Sequence, residues 1–253
     1  MLQSFAGGRL VAERYGAETP VLLALHGWGH DRSDFAPLFA RLGLPALALD
    51  LPGFGLSPAP DTVYSLADYA ALLGEHVVPA LAPGAVLIGH SFGGRVAVHL
   101  AAREPERFSG LVVTGAPLFR PSSGARPAPA YRLVRRLVRA HLLPPAALEA
   151  ARVRYGSADY VRAQGVVRDI LVRVLAESDE AAMAAVRCPV ALVWGAADTA
   201  APLAVAERAA SCFAQGSLRV LDGFDHWQPL RNPEAIAEAV TGLVAARHRA
   251  GAP

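Results

Sequence analysis

The sequence contains no lysine, because all 24 of its Lys and Arg residues are arginine. Without an ε-amino group, the chain cannot form a lysine Schiff base with a carbonyl substrate or with pyridoxal phosphate. It also cannot supply the phosphate-binding lysine of a P-loop. Pyridoxal enzymes of the usual kind and Walker-type nucleotide hydrolases are therefore excluded.

Net charge, cysteine and long apolar runs are scarce as well. The net charge is only +2, which is too small to indicate a nucleic-acid partner. Cys188 and Cys212 have no closely spaced Cys or His beside them, so we expect buried thiols, although a disulfide between them stays open. No apolar run approaches the roughly 18 residues of a membrane span, and Met1–Gly16 lacks a signal-peptide pattern. We expect a soluble, cytoplasmic protein that does not bind membranes.

Short apolar runs alternate with longer helical patterns along the 253 residues, a length that fits one domain. This alternation predicts an α/β fold in which helices flank both faces of a mostly parallel sheet. The predicted strands are Arg9–Arg14, Val21–Leu25, Ala46–Leu49, Val86–Ile88, Gly110–Thr114, Val190–Trp194 and Leu218–Leu221. The predicted helices lie near Leu66–Leu81, Gly94–Arg103, Leu203–Ala214 and Glu234–Arg247.

The alternation breaks once, between Pro117 and Val186. A loop rich in Pro, Ser and Gly (Pro121–Pro129) leads there into three or four helical stretches without a strand. This pattern predicts a helical cap, residues 117–186, inserted before the penultimate strand. Residues 1–116 and 187–253 would then form the core of the same domain.

One predicted strand runs directly into a Gly-x-Ser-x-Gly sequence, formed by Gly89, Ser91 and Gly93, and a helical pattern follows it. A serine on such a tight strand-to-helix turn is held in a strained backbone conformation, with its hydroxyl projecting at a helix N-terminus. The two glycines are needed because side chains at their positions would collide with the turn. This context predicts that Ser91 is a nucleophile rather than an incidental serine in a glycine-rich turn.

A serine hydroxyl is a weak nucleophile, so it needs an imidazole to take its proton and an anion to orient that imidazole. His226 lies in the loop after the last predicted strand, and Asp198 lies just past Val190–Trp194. The chain order Ser, Asp, His is the order used on this kind of scaffold. Asp222 and Asp225 compete for the role of the acid. Both lie so near His226 in the same loop that their carboxylates are difficult to place against its ring nitrogen. We predict a triad of Ser91, His226 and Asp198.

The predicted strand Val21–Leu25 ends in His26-Gly27-Trp28-Gly29. A glycine-flanked loop at this place allows backbone amides to approach a developing oxyanion. We predict the backbone N–H groups of Trp28 and Phe92 as its two donors, and the alternative is a loop that only packs. No cofactor is needed for this chemistry.

With these parts in this order, the sequence resembles the α/β-hydrolase superfamily over nearly its whole length. Asp50–Ser57 looks like the D-x-P-G-x-G-x-S segment of many members, and Pro105–Phe108 looks like their P-E-R segment. The His26–Gly29 loop together with Asp50–Ser57 is similar to the small carboxylesterases that include pimeloyl-carrier methyl ester esterases. His90 departs from that branch, in which Trp often precedes the serine.

The resemblance implies hydrolysis of a small carboxylic ester, thioester or lactone through an acyl-enzyme on Ser91. The tight strand-to-helix turn, called the nucleophile elbow, carries Ser91 and not Asp. The likeness to haloalkane dehalogenases and epoxide hydrolases is therefore limited to the fold. Gly93-Gly94-Arg95 is also similar to the elbow of menaquinone-pathway lyases and some carbon–carbon bond hydrolases, so this chemistry stays open. Arg95 is then a candidate for substrate binding, unless it pairs with a neighbouring acid. A ligand-binding receptor that retains the triad is a further alternative.

An arginine-rich stretch of the cap has helical spacing, which predicts one basic helix face. The face consists of Arg132, Arg135, Arg136 and Arg139. It is either a solvated surface or a contact for an anionic group of the substrate or for an acidic carrier protein.

The remaining polar residues of note have structural explanations. Asp31, Asp34 and His30 are expected to cap and begin a helix after the Trp28 loop. No metal site is expected, because the other histidines lack the spacing of metal ligands. These histidines are His76, His99, His141 and His248.

Overall fold

A computed structural model describes residues 1–119, 129–155 and 158–250, which form an eight-stranded sheet covered by helices. Its strands are β1 (Leu2–Phe5), β2 (Leu10–Tyr15), β3 (Leu22–Leu25), β4 (Ala46–Asp50), β5 (Ala85–His90), β6 (Phe108–Thr114), β7 (Val190–Gly195) and β8 (Gly216–Leu221). Their order across the sheet is β1-β2-β4-β3-β5-β6-β7-β8. The β1–β2 and β2–β4 pairs are antiparallel, and the other five pairs are parallel. The predicted α/β fold with a mostly parallel sheet is confirmed.

Each of the seven predicted strands is present, with ends that differ by a few residues. Among the described residues, β1 is the strand that the sequence pattern did not indicate. It lies at the edge of the sheet, where Leu2 is exposed and Gln3 and Phe5 are half-buried. A short edge strand with a solvated face has no apolar run, so a search for apolar runs does not find it.

Helices cover both faces of the sheet. The helices of the described residues are α1 (Ala36–Leu42), α2 (Leu66–His76), α3 (Phe92–Arg103), α4 (Pro129–Arg139), α5 (Pro145–Tyr155), α6 (Ala158–Arg162), α7 (Gly165–Ala176), α8 (Glu180–Ala185), α9 (Leu203–Cys212), α10 (Gln228–Arg231) and α11 (Glu234–Ala250). The predicted helix Leu66–Leu81 is too long, because α2 ends at His76 and a 3₁₀ turn follows over Val78–Ala80. Pro79 explains the break, since proline lacks an N–H and its ring disfavours helical geometry in the residue before it.

Each face of the sheet packs against its own cluster of buried side chains. Alternate residues of strand β3 belong to different clusters. Leu23 and Leu25 belong to the cluster that contains residues of α2, α3 and α9. Leu22 and Ala24 belong to the cluster that contains residues of α1 and α11. Because side chains alternate between the faces of a strand, a strand buried on both faces reads as a continuous apolar run.

The segment between β6 and β7 contains five helices within the described residues, α4 to α8, where three or four were expected. No strand lies among them in the parts that the structure describes. Residues 121–128 of the predicted Pro-, Ser- and Gly-rich loop lie outside the described residues. The division into a cap at 117–186 and a core stays a prediction.

The carboxyl ends of the parallel strands meet at one edge of the sheet, and four loops with polar side chains follow them. These loops carry Trp28 after β3, Ser91 after β5, Asp198 after β7 and His226 after β8. Open α/β sheets bind ligands at this edge. Across the described ranges, no helix is both long and apolar enough to cross a bilayer.

Candidate active site

Ser91 occupies a strained turn between β5 and α3. Its backbone has φ 51° and ψ −116°, a conformation that L-residues rarely adopt. A Cβ at Gly89 would lie 2.5 Å from Gly94 Cα, and a Cβ at Gly93 would overlap the carbonyl oxygen of Leu25. The predicted need for glycine on both sides of the serine is confirmed. Ser91 also stands at the N-terminus of α3, where the helix dipole favours developing negative charge.

His226 contacts Asp198 at hydrogen-bond distance, with 2.8 Å between His226 Nδ1 and Asp198 Oδ2. Asp198 is buried, and its Oδ1 accepts hydrogen bonds from the backbone N–H groups of Ala200 at 2.9 Å and Ala201 at 2.8 Å. These two donors hold the carboxylate in one orientation. An ionised carboxylate only accepts hydrogen bonds, so Nδ1 of neutral His226 carries the proton and Nε2 is left as a base.

The two competing carboxylates have other environments. Asp225 Oδ1 accepts hydrogen bonds from the backbone N–H groups of Trp227 at 2.8 Å and Gln228 at 2.9 Å. These hydrogen bonds, that of Trp227 first, lower the pKa of Asp225. Asp222 is exposed. Of the three candidates, Asp198 is the one that contacts the ring of His226.

A cavity of about 810 Å³ brings together Ser91, His226, Trp28 and Phe92, which all line it. The rings of Trp28 and Phe92 touch in a T-shaped arrangement, with centroids 5.1 Å apart. Neither backbone N–H of these two residues finds a protein acceptor within the described ranges. Two such amides beside a serine at a strained turn are the arrangement expected of an oxyanion hole.

His90 lies beneath His226 in the protein interior. Its Nε2 donates a hydrogen bond to the carbonyl oxygen of His226 at 3.0 Å, and the two rings lie 4.7 Å apart. Burial, and then the proximity of His226, lowers the pKa of His90 to about 3, so this ring stays neutral near pH 7. Sequence reasoning noted His90 only as a departure from related esterases, since nothing near it in sequence signals a partner 136 residues away.

Gly115, at the end of β6, closes the packing around the same two rings. It has φ 61°, and a Cβ there would lie 2.9 Å from His226 Cε1 and 3.3 Å from His90 Nε2. Any larger residue would displace the His226 ring. The sequence patterns did not identify this glycine, which follows a strand outside the recognised motifs.

Arg95, a predicted substrate-binding residue, lines the cavity but is buried and bonded to protein acceptors. Its Nε lies 2.6 Å from Asp179 Oδ2, and its Nη2 lies 3.0 Å from Asp179 Oδ1. Its guanidinium also donates to the carbonyl oxygens of Val174 at 2.7 Å and Glu177 at 3.1 Å. Arg95 therefore pairs with a neighbouring acid, which was the alternative to substrate binding. Asp179 was not identified from the sequence.

The arginine stripe lies away from the cavity. Arg132, Arg135, Arg136 and Arg139 are all exposed on α4, and none of them lines the cavity. Within the described ranges, none of the four forms an ion pair. Instead the segment between β6 and β7 contributes Arg162, Asp159 and Gln164 to the cavity, three residues that sequence reasoning did not select.

The loop after the Trp28 turn confirms the expected capping role of Asp31. Its Oδ1 accepts a hydrogen bond from Ser33 N at 2.8 Å at the start of the 3₁₀ helix Arg32–Phe35, which continues into α1. His30 lies 3.0 Å from Asp34 and stacks on Trp227 with ring centroids 3.9 Å apart. His30 also lines the cavity.

The Asp50–Ser57 segment positions one aromatic side chain of the cavity. Asp50 is fully buried, and it accepts hydrogen bonds from Arg32 Nη1 at 2.6 Å and from Leu56 N at 2.8 Å. A Cβ at Gly55 would overlap the Asp50 carboxylate, which explains the glycine there. These contacts hold the loop that places Phe54 against Trp28, with ring centroids 4.8 Å apart.

The described residues contain neither a disulfide nor a cluster of metal ligands. Cys188 and Cys212 are free thiols, but they are half-buried where buried thiols were expected, and partial burial raises the pKa of Cys188 to about 11. No group of three or more His, Cys, Asp or Glu side chains within the described ranges is arranged to hold a metal ion.

Comparisons with known proteins agree with this fold. A sequence model of the alpha/beta hydrolase family matches residues 21–239. The chain is 33% identical over 253 aligned residues to a pimeloyl-[acyl-carrier protein] methyl ester esterase of Aromatoleum aromaticum, across 89% of this chain and 98% of that protein. It is 39% identical over 111 residues to an esterase of Mycobacterium tuberculosis, across 42% of this chain and 36% of that protein.

A solved structure, an esterase of Exiguobacterium antarcticum, shares the fold. The two structures superpose with a TM-score of 0.71 at 22% sequence identity, across 93% of this chain and 95% of the esterase. The resemblance inferred from the motifs is thereby confirmed. The chain belongs to the α/β-hydrolase family.

Proposed function

We propose that the protein is a serine hydrolase that cleaves carboxylic esters, with Ser91 as nucleophile, His226 as general base and Asp198 as the acid that orients the base. One observation carries the proposal. The imidazole of His226, held by Asp198 at 2.8 Å, lines the same cavity as a serine in a strained elbow. This combination of a nucleophile, a base and an oriented acid is how acyl transfer is performed without a cofactor.

In the proposed mechanism, Ser91 Oγ attacks the acyl carbon of the ester while His226 Nε2 takes the hydroxyl proton. Nε2 then gives this proton to the departing alkoxide, and the alcohol leaves. Water next attacks the acyl-enzyme, with Nε2 again as the base, and the carboxylic acid is released as Ser91 is restored. The Asp198 carboxylate stabilises the imidazolium that forms in both steps.

The negative charge on the carbonyl oxygen needs preorganised donors. The backbone N–H groups of Trp28 and Phe92 are our candidates, because they lack protein acceptors within the described ranges and flank the cavity beside Ser91. The positive end of the α3 dipole adds to this stabilisation.

The cavity walls support an ester with an apolar acyl group. Helix α7 contributes Val167, Leu171, Val174 and Leu175 to the lining, and Trp28, Phe54 and Phe92 add aromatic surface. Burial of a methylene group on such a surface is worth about 0.8 kcal/mol, so affinity should increase with chain length. The names of the relatives, which are esterases, also support an ester substrate.

An acidic carrier protein is our candidate for the partner that presents the substrate. Four exposed arginines on α4 form a surface that would attract acidic side chains. One relative is named for an ester held on an acyl carrier protein. The alternative is a free small-molecule ester, for which α4 is a solvated face.

Turnover of activated esters with acyl chains of increasing length tests the central proposal. Ser91→Ala should lose activity by a factor on the order of a million if the triad acts as a unit, and a serine-directed phosphonate should label the unchanged protein but not this variant. Circular dichroism would show that the variant is folded. Undiminished turnover by the folded variant would contradict the proposal. A diketone and a lactone panel extends the test, because cleavage of a diketone without ester turnover would indicate carbon–carbon bond hydrolysis.

A further inference from the structure

We propose that Arg95 is a positioning residue that sets the acyl-chain selectivity of the enzyme. Its guanidinium would do so by fastening α7, a wall of the cavity, to α3, the helix that begins at the nucleophile. This inference rests on the ester hydrolysis proposed above. It assigns Arg95 a role toward the protein and not toward an anionic substrate.

The first observation is the ion pair between Arg95 and Asp179. Their side chains are 4% and 0% exposed, and two parallel bonds join Nε and Nη2 to the two carboxylate oxygens. A bidentate pair in a dry environment fixes orientation as well as distance. His99, one turn further along α3, also contacts Asp179 Oδ1 at 3.1 Å. Helix α3 therefore holds Asp179 from two successive turns.

The second observation concerns the C-terminal end of α7. The last carbonyl groups of a helix have no partner within it, and a cation there also interacts favourably with the helix dipole. Arg95 Nη1 donates to Val174 O at 2.7 Å, and Nη2 donates to Glu177 O at 3.1 Å. Arg95 thus caps α7 while it binds Asp179.

The third observation is that the fastened end of α7 lines the cavity. Leu171, Val174 and Leu175 line the cavity together with Arg95 itself. The segment after α7 is also tied to the core, since Leu66 N donates to Glu177 Oε2 at 3.1 Å. A shift of this end would therefore change the depth and shape of the cavity without touching Ser91 or His226.

A long acyl chain must contact more of the cavity wall, to which α7 contributes four apolar residues, whereas an acetyl group adds only one methyl group to the reacting carbonyl. Loss of the Arg95 contacts should therefore weaken catalysis on long-chain esters more than on acetyl esters. A role in stability alone would lower activity on both by the same factor. The ratio of kcat/KM for a long-chain ester to that for an acetyl ester separates these two roles.

The experiment compares Arg95→Met and Arg95→Lys with a matched control, Arg103→Met. Arg103 lies on the same helix, but it is half exposed and pairs with Glu104 at 3.6 Å. A 1 Å misplacement of a substrate can cost about a hundredfold in rate, so we expect the octanoyl-to-acetyl ratio to fall by roughly tenfold to a hundredfold in Arg95→Met. Arg95→Lys should fall as well, because an ammonium group cannot reproduce the forked contacts with Asp179 and the α7 carbonyls. The control should keep the ratio of the unchanged protein.

Arg95→Met/Asp179→Leu provides the same test if Arg95→Met does not fold, since it removes both buried charges together. Amide hydrogen exchange of residues 165–176, measured without substrate, should be faster in the Arg95 variants and unchanged in Arg103→Met. An unchanged chain-length ratio in a folded variant would overturn the inference, and so would an equal loss on all esters. If the unchanged protein hydrolyses no ester, the proposed function fails, and unaltered exchange of α7 would then overturn the fastening separately.

Discussion

At the scale of single residues, the site depends on groups that are held by more than one contact. Ser91 keeps an unfavourable backbone conformation because Gly89 and Gly93 allow the turn to pack against its neighbours. Asp198 accepts hydrogen bonds from two backbone N–H groups in addition to its contact with His226. Groups held in this way lose little freedom when the reaction begins, which is the basis of preorganised catalysis.

Exchange of Asp198 for its amide tests the acid at this scale. Asp198→Asn keeps the shape of the side chain but favours the wrong imidazole tautomer, so kcat should fall by roughly ten-thousandfold. Asp225→Asn and Asp222→Asn are the matched controls and should have far smaller effects, because Asp225 accepts hydrogen bonds from backbone N–H groups at the start of α10 and Asp222 is exposed. A greater loss in either control would show that the wrong acid was assigned, although the serine mechanism would stand.

The buried His90 predicts a pH dependence of stability. Its pKa is about 3 in the folded protein, below the ordinary value of 6.5. As the pH is lowered, His90 therefore takes up a proton in the unfolded state before it does so in the folded state. The stability that this residue contributes is fully present above pH 6.5 and is lost as the pH falls toward 3. His90→Gln keeps an N–H donor for His226 O but does not titrate. We expect its loss of unfolding free energy between pH 7.5 and pH 4.5 to be about 3 kcal/mol smaller than that of the unchanged protein.

Urea unfolding at the two pH values measures this difference, and His76→Gln serves as the control. His76 is partly exposed at the end of α2 and has no contact with His226 in the described structure. An equal pH dependence in His90→Gln and the unchanged protein would contradict the neutral buried state of His90.

Local sequence patterns were sufficient for some of these residues and insufficient for others. The elbow around Ser91 could be predicted because its requirements, a strand, two glycines and a helix, are adjacent in the chain. Asp179 could not be predicted as the partner of Arg95, since 84 residues separate them. His90 and Gly115 were missed for the same reason, because each meets His226 only after the strands are paired in register.

At the scale of elements, the parallel sheet was predictable because its strands are buried on both faces. Strands such as β3 and β4 are fully buried, so they appear as uninterrupted apolar runs. The start of α2 also has a local signal, since Ser65 and Asp68 form a capping box there. The edge strand β1 and the number of helices between β6 and β7 were not predictable in this way. Their boundaries depend on exposed or half-buried residues, for which a hydrophobic pattern is weak.

At the scale of the whole molecule, a net charge of +2 conceals an uneven distribution of arginine. Four arginines lie exposed on α4 without an ion pair among the described residues. Other exposed arginines, such as Arg187 and Arg219, form ion pairs with Glu106 and Glu238. An unneutralised basic face on α4 can attract an anionic partner from a distance, and this attraction weakens as salt is added.

The proposed acidic carrier partner leads to a prediction about α4. Changing Arg132, Arg135, Arg136 and Arg139 to Gln should raise KM for an ester presented on an acidic carrier protein, because complementary charge assists the encounter. A free neutral ester of matched acyl length should be nearly unaffected, since none of the four residues lines the cavity. Added salt should have the same effect as the substitutions, because charges separated by more than about 8 to 10 Å are largely screened near physiological ionic strength.

A control with the same change in net charge separates this surface from charge in general. It replaces four exposed, ion-paired arginines outside the cavity lining with Gln, namely Arg41, Arg187, Arg208 and Arg219. Surface ion pairs contribute about 0 to 1 kcal/mol each, so this variant should remain folded and keep the KM of the unchanged protein for the carrier-bound ester. Equal increases in KM for the carrier-bound and the free ester in the α4 variant would indicate that α4 supports the structure of the cap. Unaltered KM for both esters would contradict the proposed role of α4 in carrier binding and would show that α4 is a solvated face.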